Sequence, residues 1–269
     1  MNRDETGGTD YGRDDARDLG DEPPASYRDT APDILAPIDI SAPVSGHVPP
    51  PESAHRPSIA ESPEHDWTAA SALIVPLLRP VGTHGTNVTE IDAEALAAEA
   101  TRSHSQPLLD EGPCDLAVVY AMPATGFDVI VNADHLMSWG VTVEAIQDAA
   151  MGNLAAWSAT AAWTDEVSGV RRLISSDTGD GWDAARILLT EVRDKLVAEL
   201  GGDGRVLIGL PERHLLIAGA LRPGDDDFAA LFGEFIVESS GGADEPIDRR
   251  VFELVDGRLV EFAVLPAPA

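Results

Sequence analysis

Val206-Leu-Ile-Gly-Leu-Pro-Glu-Arg-His-Leu-Leu-Ile-Ala218 is the stretch that decides the fold. Positions 206–210 and 214–218 are two short apolar runs, and Pro211 and Glu212 stand between them. Two such runs around a brief break read as a hairpin. Pro211 has no N–H to give a ladder, so it suits the turn. The same grammar recurs on both sides. Residues 116–122 and 127–132 flank Pro123-Ala-Thr-Gly126, and 250–255 and 259–265 flank Asp256-Gly257, a strong short-range hairpin signal. Residues 72–78 read as a strand that Pro76 marks as an edge or a bulge, and 170–174 as another. Hairpins outnumber helical crossovers, so the class is α+β, with mainly antiparallel sheets and packed helices.

Four segments carry helical spacing. Thr89 caps one over 89–100, with Ile91, Ala95, Leu96 and Ala98 in register. Thr142 caps a second that runs to about 154. Asp180 caps a long third over 181–200, with the stripe Trp182, Ala185, Leu189, Val192, Leu196 and Leu200. Asp183 falls in its first turn, where the dipole favours a carboxylate, and Gly201 and Gly202 end it. Asp225 opens a fourth, to about 237. A helix–hairpin–helix–strand order over 89–174 thus has a counterpart over 181–265. That admits two similar halves, 67–175 and 176–269.

The chain has 269 residues, enough for one or two domains. Acidic side chains number 47 against 18 basic, for a formal charge of −29. Such a balance repels phosphates and argues against nucleic acid, and equally against anionic membrane surfaces. Cys114 is the one cysteine, which excludes an intrachain disulfide and a thiolate zinc cluster. No apolar targeting segment follows the polar start, and 69–78 is too short to span a bilayer. These features point to the cytoplasm. Lys195 is the sole lysine, a bias that fits a GC-rich bacterial genome.

Residues 1–66 differ in composition from the rest. Ten of the 20 prolines fall there, with 15 acidic side chains against five arginines. Large apolar residues are few, so little burial offsets an ordering entropy of about 1–2 kcal/mol per residue. The segment reads as a disordered, acidic, Pro-rich tail ahead of a globular part, 67–269. It is either a solubilising arm or one that carries a docking segment, Asp33-Ile-Leu-Ala-Pro-Ile-Asp-Ile40.

Familiar chemistry is scarce. Neither G-x-x-x-x-G-K-[ST] nor G-x-G-x-x-G occurs, and G-x-S-x-G is missing too. No His pair or His–Cys pair has metal-ligand spacing, so no cofactor or metal is expected. His135 stands at a strand-to-helix junction, where capping suits it. Cys114 lies between acids that raise its pKa and weaken it as a nucleophile. Asp177, Asp180 and Asp183 resemble a calcium loop loosely, but Leu188 occupies the place of the bidentate Glu. Asp225-Asp-Asp227 suits a helix start. Basic residues are rare enough to draw attention. Arg186 lies one turn after Asp183, and Arg213 follows Pro211, with His214 next. They read either as structural ion pairs or as a site for an anion or a partner carboxylate. Trp139 and Trp182 each open an element and suit the core.

Three strings bear a family likeness: Val129-Ile-Val-Asn-Ala-Asp-His-Leu-Met-Ser-Trp-Gly-Val141, Asp183-Ala-Ala-Arg-Ile-Leu-Leu189 and Val206-Leu-Ile-Gly-Leu-Pro-Glu-Arg213. In this order and spacing they resemble the bacterial family designated domain of unknown function 1444, over about 70–265. The third motif of that family has an Asp after its Arg, and His214 stands there in this chain. The resemblance implies a soluble bacterial protein and supplies no reaction, cofactor or substrate.

Two functional classes follow. The first is a non-enzymatic protein-binding or adaptor module, whose acidic surface suits a basic protein partner. The second is a ligand-sensing domain or an enzyme with a site near Asp183, Arg186, Arg213 and His214. A cavity joining those side chains would favour the second, and an exposed apolar patch the first.

Overall fold

The computed structural model describes residues 33–35, 63–92, 96, 98, 103–124 and 127–263. Most of the segment read as a tail, and half of the helix expected over 89–100, lie outside these residues. Within the tail, Asp33–Leu35 is a strand, β1, and Pro63–His65 is a 3-10 turn leading into the first helix. Asn87, not Thr89, caps the short 3-10 helix Val88–Glu90. The described residues from 33 to 263 belong to one compact unit.

The fold is α+β, built on two mostly antiparallel sheets. After α1 (Trp67–Ser71), the first sheet takes β2 (Val75–Arg79), β3 (Thr86–Asn87), β4 (Leu108–Glu111), β5 (Ala117–Ala124) and β6 (Phe127–Ile130). Its order is β2-β5-β4-β3, with β6 also on β5, and β3–β4 is its parallel pair. Pro76 lies on β2, an edge strand, where a missing N–H leaves no ladder bond broken. Then come α2 (Ala133–Trp139) and α3 (Val143–Ser158). Asn132 and His135 close a reciprocal capping box on α2: each side chain accepts the other's backbone N–H, at 3.1 Å both ways. Thr142 caps α3.

The second sheet takes β7 (Trp163–Ser168), β8 (Arg171–Ser176), β9 (Arg205–Glu212), β10 (Leu215–Leu221), β11 (Val251–Val255) and β12 (Arg258–Glu261), with β1 on the edge of β7. Its order is β1-β7-β8-β10-β9-β11-β12. The sheets change over between Ser158 and Trp163. The division considered at 175/176 therefore falls inside β8, which pairs with β7 on one side and β10 on the other.

The quoted hairpin exists, with its turn shifted. β9 runs through Pro211 to Glu212, and the turn is Arg213-His214. Pro211 is tolerated because Leu216 alone faces both Leu210 and Pro211, between the pairs Leu215–Glu212 and Ile217–Gly209. Such a β-bulge leaves one residue out of the ladder. The run is apolar throughout because both faces are covered. Ile208, Leu210, Leu216 and Ala218 join the core shared with the first sheet. Leu207 and Ile217 pack under α5 (Asp226–Gly242) with Phe228, Phe232 and Ile236. Asp256 and Gly257 turn the last hairpin at φ 50° and 71°.

The long helix over 181–200 is where the expectation fails. A 3-10 helix, Ala184–Leu188, is followed by Leu189 in extended backbone (φ −77°, ψ 128°), and only then by α4 (Thr190–Leu200). The whole stripe Trp182 to Leu200 is buried, as expected. So are two charged residues of the same segment: Asp183 is 0% and Arg186 1% exposed. The 3-10 helix is wedged between β2, β10 and α3. A straight helix of that length would extend about 30 Å and could not be enclosed there. Arg193 spans the break, donating to the carbonyls of Ile187 and Leu188 at 2.8 Å each. It thereby satisfies acceptors that the interruption frees.

Candidate functional site

The four singled-out residues lie where the two sheets meet the buried 3-10 helix. Gly181 adopts φ +88°, a conformation that favours glycine, and Arg213 Nη2 lies 2.8 Å from where a Cβ would sit. The turn so formed brings Asp180 and Asp183 onto one guanidinium. Arg186 Nη1 donates to Asp183 Oδ1 at 2.6 Å and to Asp180 Oδ1 at 3.2 Å, and its Nη2 donates to Asp180 Oδ2.

Asp183 does not serve the helix dipole. Its Oδ1 accepts from Ser176 Oγ at 2.6 Å and from both Thr178 N and Thr178 Oγ1 at 3.1 Å. Burial still raises its pKa above the ordinary carboxylate range; Arg186 opposes the rise and Asp180 adds to it. Asp180 accepts from Trp182 N at 2.8 Å. The three acids loosely like a calcium loop are not gathered on one centre. Asp180 and Asp183 face a guanidinium, and Asp177 is exposed apart from them. Among the described residues, no three His, Cys, Asp or Glu side chains converge as metal ligands.

Arg213 joins the same region by a different route. Its Nε donates to the Gly181 carbonyl at 3.1 Å, and its guanidinium lies 5.2 Å from the Trp182 ring centroid. Its Nη1 lies 2.8 Å from Asp128 Oδ2 and 2.7 Å from Glu245 Oε2. Asp128 is on β6, so this one side chain ties the first sheet to the turn of the second. The backbone joins the turn to the 3-10 helix as well, with Ala184 N donating to Arg213 O at 3.1 Å. Burial opposes the Glu245 charge, yet the Arg213 hydrogen bond and charge hold its pKa below the ordinary range.

Asp183 and Arg186 thus meet in one buried ionic cluster with Asp180, and Arg213 stands beside it in a second, with Asp128 and Glu245, joined to the first through the Gly181 carbonyl. His214 belongs to neither: it sits in the β9–β10 turn and, among the described residues, makes no hydrogen bond or ion pair. Sequence reasoning missed Asp128 and Glu245, because partners 85 and 32 residues from Arg213 leave no local spacing signal. Asp180 was misread as a helix cap. The run Ser176-x-Thr178-x-Asp180-x-x-Asp183, dense in short hydrogen-bonding side chains, was the available signal for a buried turn.

The arrangement can hold charge in place, and Asp180, Asp183 and Arg186 are enclosed. Among the described residues, three clefts lie elsewhere. One of about 670 Å³ is lined by Val88, Ile91, Leu136, Met137 and the 140–144 stretch; one of about 650 Å³ by Arg172, Arg222 and the 201–204 loop; one of about 310 Å³ by Leu188, Arg193 and Arg258. None is lined by Asp183, Arg186, Arg213 or His214.

The other sequence candidates have structural partners. Trp182 is buried and packs 6.1 Å from the Trp157 ring. Trp139 donates to the Glu64 carbonyl at 2.7 Å and stacks on His135, fastening the entry to α1. Asp225 accepts two hydrogen bonds from Arg171 instead of capping α5. Cys114 is half-buried, and burial, ahead of Asp115 and Glu261, raises its pKa. Among the described residues, no helix is long and apolar enough to cross a membrane. Comparison of the chain with models of protein families, with curated proteins and with solved structures returns no match.

Proposed function

We propose that this chain is a non-enzymatic protein-binding or adaptor module of the bacterial cytoplasm, and that its acidic surface meets a basic protein partner. The distribution of charge carries the reading. Arg79, Arg171, Arg172, Arg186, Lys195, Arg205, Arg213 and Arg250 each pair with a carboxylate of the same chain. Among the described residues, Arg193, Arg222, Arg249 and Arg258 are the basic side chains without such a partner. The positive charge is thus mostly matched internally, and the excess of carboxylates is left to the surface of a −29 chain. That field attracts a basic protein and speeds its encounter. Duplex DNA needs about 6–10 phosphates neutralised, more than the four cations without a carboxylate partner among the described residues. The internal pairing of Asp183 with Arg186 and of Arg213 with Asp128 and Glu245 supports the same reading, since these groups hold the fold together and Arg213 fastens β6 to the β9–β10 turn. The kinship with domain of unknown function 1444 over about 70–265 stays part of this proposal, on the three quoted strings alone.

Affinity capture on the immobilised full chain, from nuclease-treated bacterial lysate, tests this. Basic proteins should be retained at about 0.1 M salt and released by about 0.5 M, as screening shortens the field. Retention that ignores salt, or micromolar binding of a random duplex in fluorescence anisotropy, would overturn it.

A further inference from the structure

We infer that the outward face of α5 is the docking surface, and that its partner is a basic amphipathic segment with apolar anchors flanked by Lys or Arg; the inference rests on the protein-binding reading above. α5 buries Phe228, Phe232 and Ile236 against the sheet. One turn apart on its other side, Leu231 is 53% and Phe235 43% exposed. At about 100° per residue, Asp227, Glu234 and Glu238 fall along one outer line, and Leu231 and Phe235 occupy the shoulder beside it. None of those three carboxylates makes an ion pair among the described residues. No Lys or Arg occurs anywhere in 225–242. Arg171 neutralises Asp225 at the N-terminal end alone.

The platform beneath is tightly packed. A Cβ on Gly209 would run into Ile236, so α5 lies close on β9. An exposed apolar pair beside a line of acids that make no ion pair among the described residues, on a firmly seated helix, suits a partner that brings apolar anchors and cations at helical spacing. The same line selects among occupants. A second copy would set the acidic line against itself in a two-fold interface. Anionic lipid and nucleic acid carry the wrong sign. A basic amphipathic segment covers Leu231 and Phe235 while its cations meet Asp227, Glu234 and Glu238.

The test titrates the isotopically labelled full chain with two synthetic peptides of equal positive charge, read by amide chemical shifts. One peptide places Leu and Lys at helical spacing; the other contains Lys and Gly only. The expected result is shifts centred on 226–242 and affinity for the Leu-Lys peptide at least about tenfold tighter. The Leu231→Ser, Phe235→Ser double variant should lose that advantage with its melting temperature kept. Glu234→Lys with Glu238→Lys should weaken both peptides, which covers the case of a first variant that does not fold. Equal affinity for both peptides, unmoved α5 amides, wild-type binding by the variants or self-association through α5 would each overturn the inference. Tight binding centred on another surface sinks the α5 assignment alone, whereas no binding of either peptide contradicts the wider reading as well.

Discussion

Arg186→Met removes the cation that holds Asp180 and Asp183 together. Methionine fills much of the volume but donates no hydrogen bond, so the two carboxylates are left beside each other without a cation in contact. Both are buried, at 5% and 0% exposure. Removing one partner of a buried ion pair costs about 3–5 kcal/mol, mostly because a charge is left uncompensated. Whole domains are stable by about 5–15 kcal/mol, so a large share of the fold's stability is at stake. At about 2–4 °C per kcal/mol for a unit of this size, the melting temperature should fall by about 6–20 °C.

The loss should also depend on pH. Burial and Asp180 already push the Asp183 carboxyl above its ordinary range while Arg186 opposes them. Without Arg186 the folded protein would bind that proton more readily. A carboxyl with a raised folded pKa favours the fold below its ordinary pKa, and that contribution is lost as pH rises through the raised value. The deficit of the variant should therefore be largest at pH 7 and shrink towards about pH 4.5. Adding Asp183→Asn should recover part of it at pH 7. Thermal unfolding followed by circular dichroism at both pH values decides. A melting temperature within about 2 °C of wild type at pH 7, or an equal deficit at both pH values, would refute the reasoning.

Three further substitutions probe the fold around this network. Gly209→Ala should cost about 1–3 kcal/mol in urea unfolding, because its methyl group meets Ile236 and lies 3.0 Å from Ile217 Cγ2. Leu196→Ala on α4, at a fully buried position, should cost about 2–5 kcal/mol; a melt within a degree of wild type would place that stripe in solvent. His214→Asp should change stability by less than about 0.5 kcal/mol, since the imidazole has no partner among the described residues. A clear gain or loss in the same urea assay would give that turn a role that its contacts do not reveal.

Much of the architecture was legible because hairpins announce themselves locally. Asp256-Gly257 turns where its residue types demand, and Thr142 caps α3 as a threonine should. The strands that escaped notice are short or polar. β7 reads Trp-Thr-Asp-Glu-Val-Ser, has little alternation and leaves Val167 67% exposed. The start of α2 was visible in His135 as a cap, but its extent was not drawn, because the box shared with Asn132 has histidine in the place of the usual Glu or Gln and only seven residues follow. The 181–200 segment shows the limit most clearly. Its apolar stripe was correct, but periodicity cannot tell a helix from a buried 3-10 turn that breaks at Leu189 and restarts. The same burial turned Asp183 and Arg186, which look like surface polar residues, into an internal ion pair. Arg213 was singled out for its rarity, and its partners Asp128 and Glu245 became visible only once the chain was folded.

The most direct measurement is the association rate of the tightest captured partner as a function of ionic strength. Stopped-flow fluorescence on the full chain, from about 0.02 to 0.5 M salt, separates association from dissociation. An acidic surface that steers a basic protein should give an association rate constant that falls steeply across that range, with dissociation changing far less. An association rate indifferent to salt would mean that the carboxylate-rich surface takes no part in recognition, and would contradict the protein-binding role proposed for it.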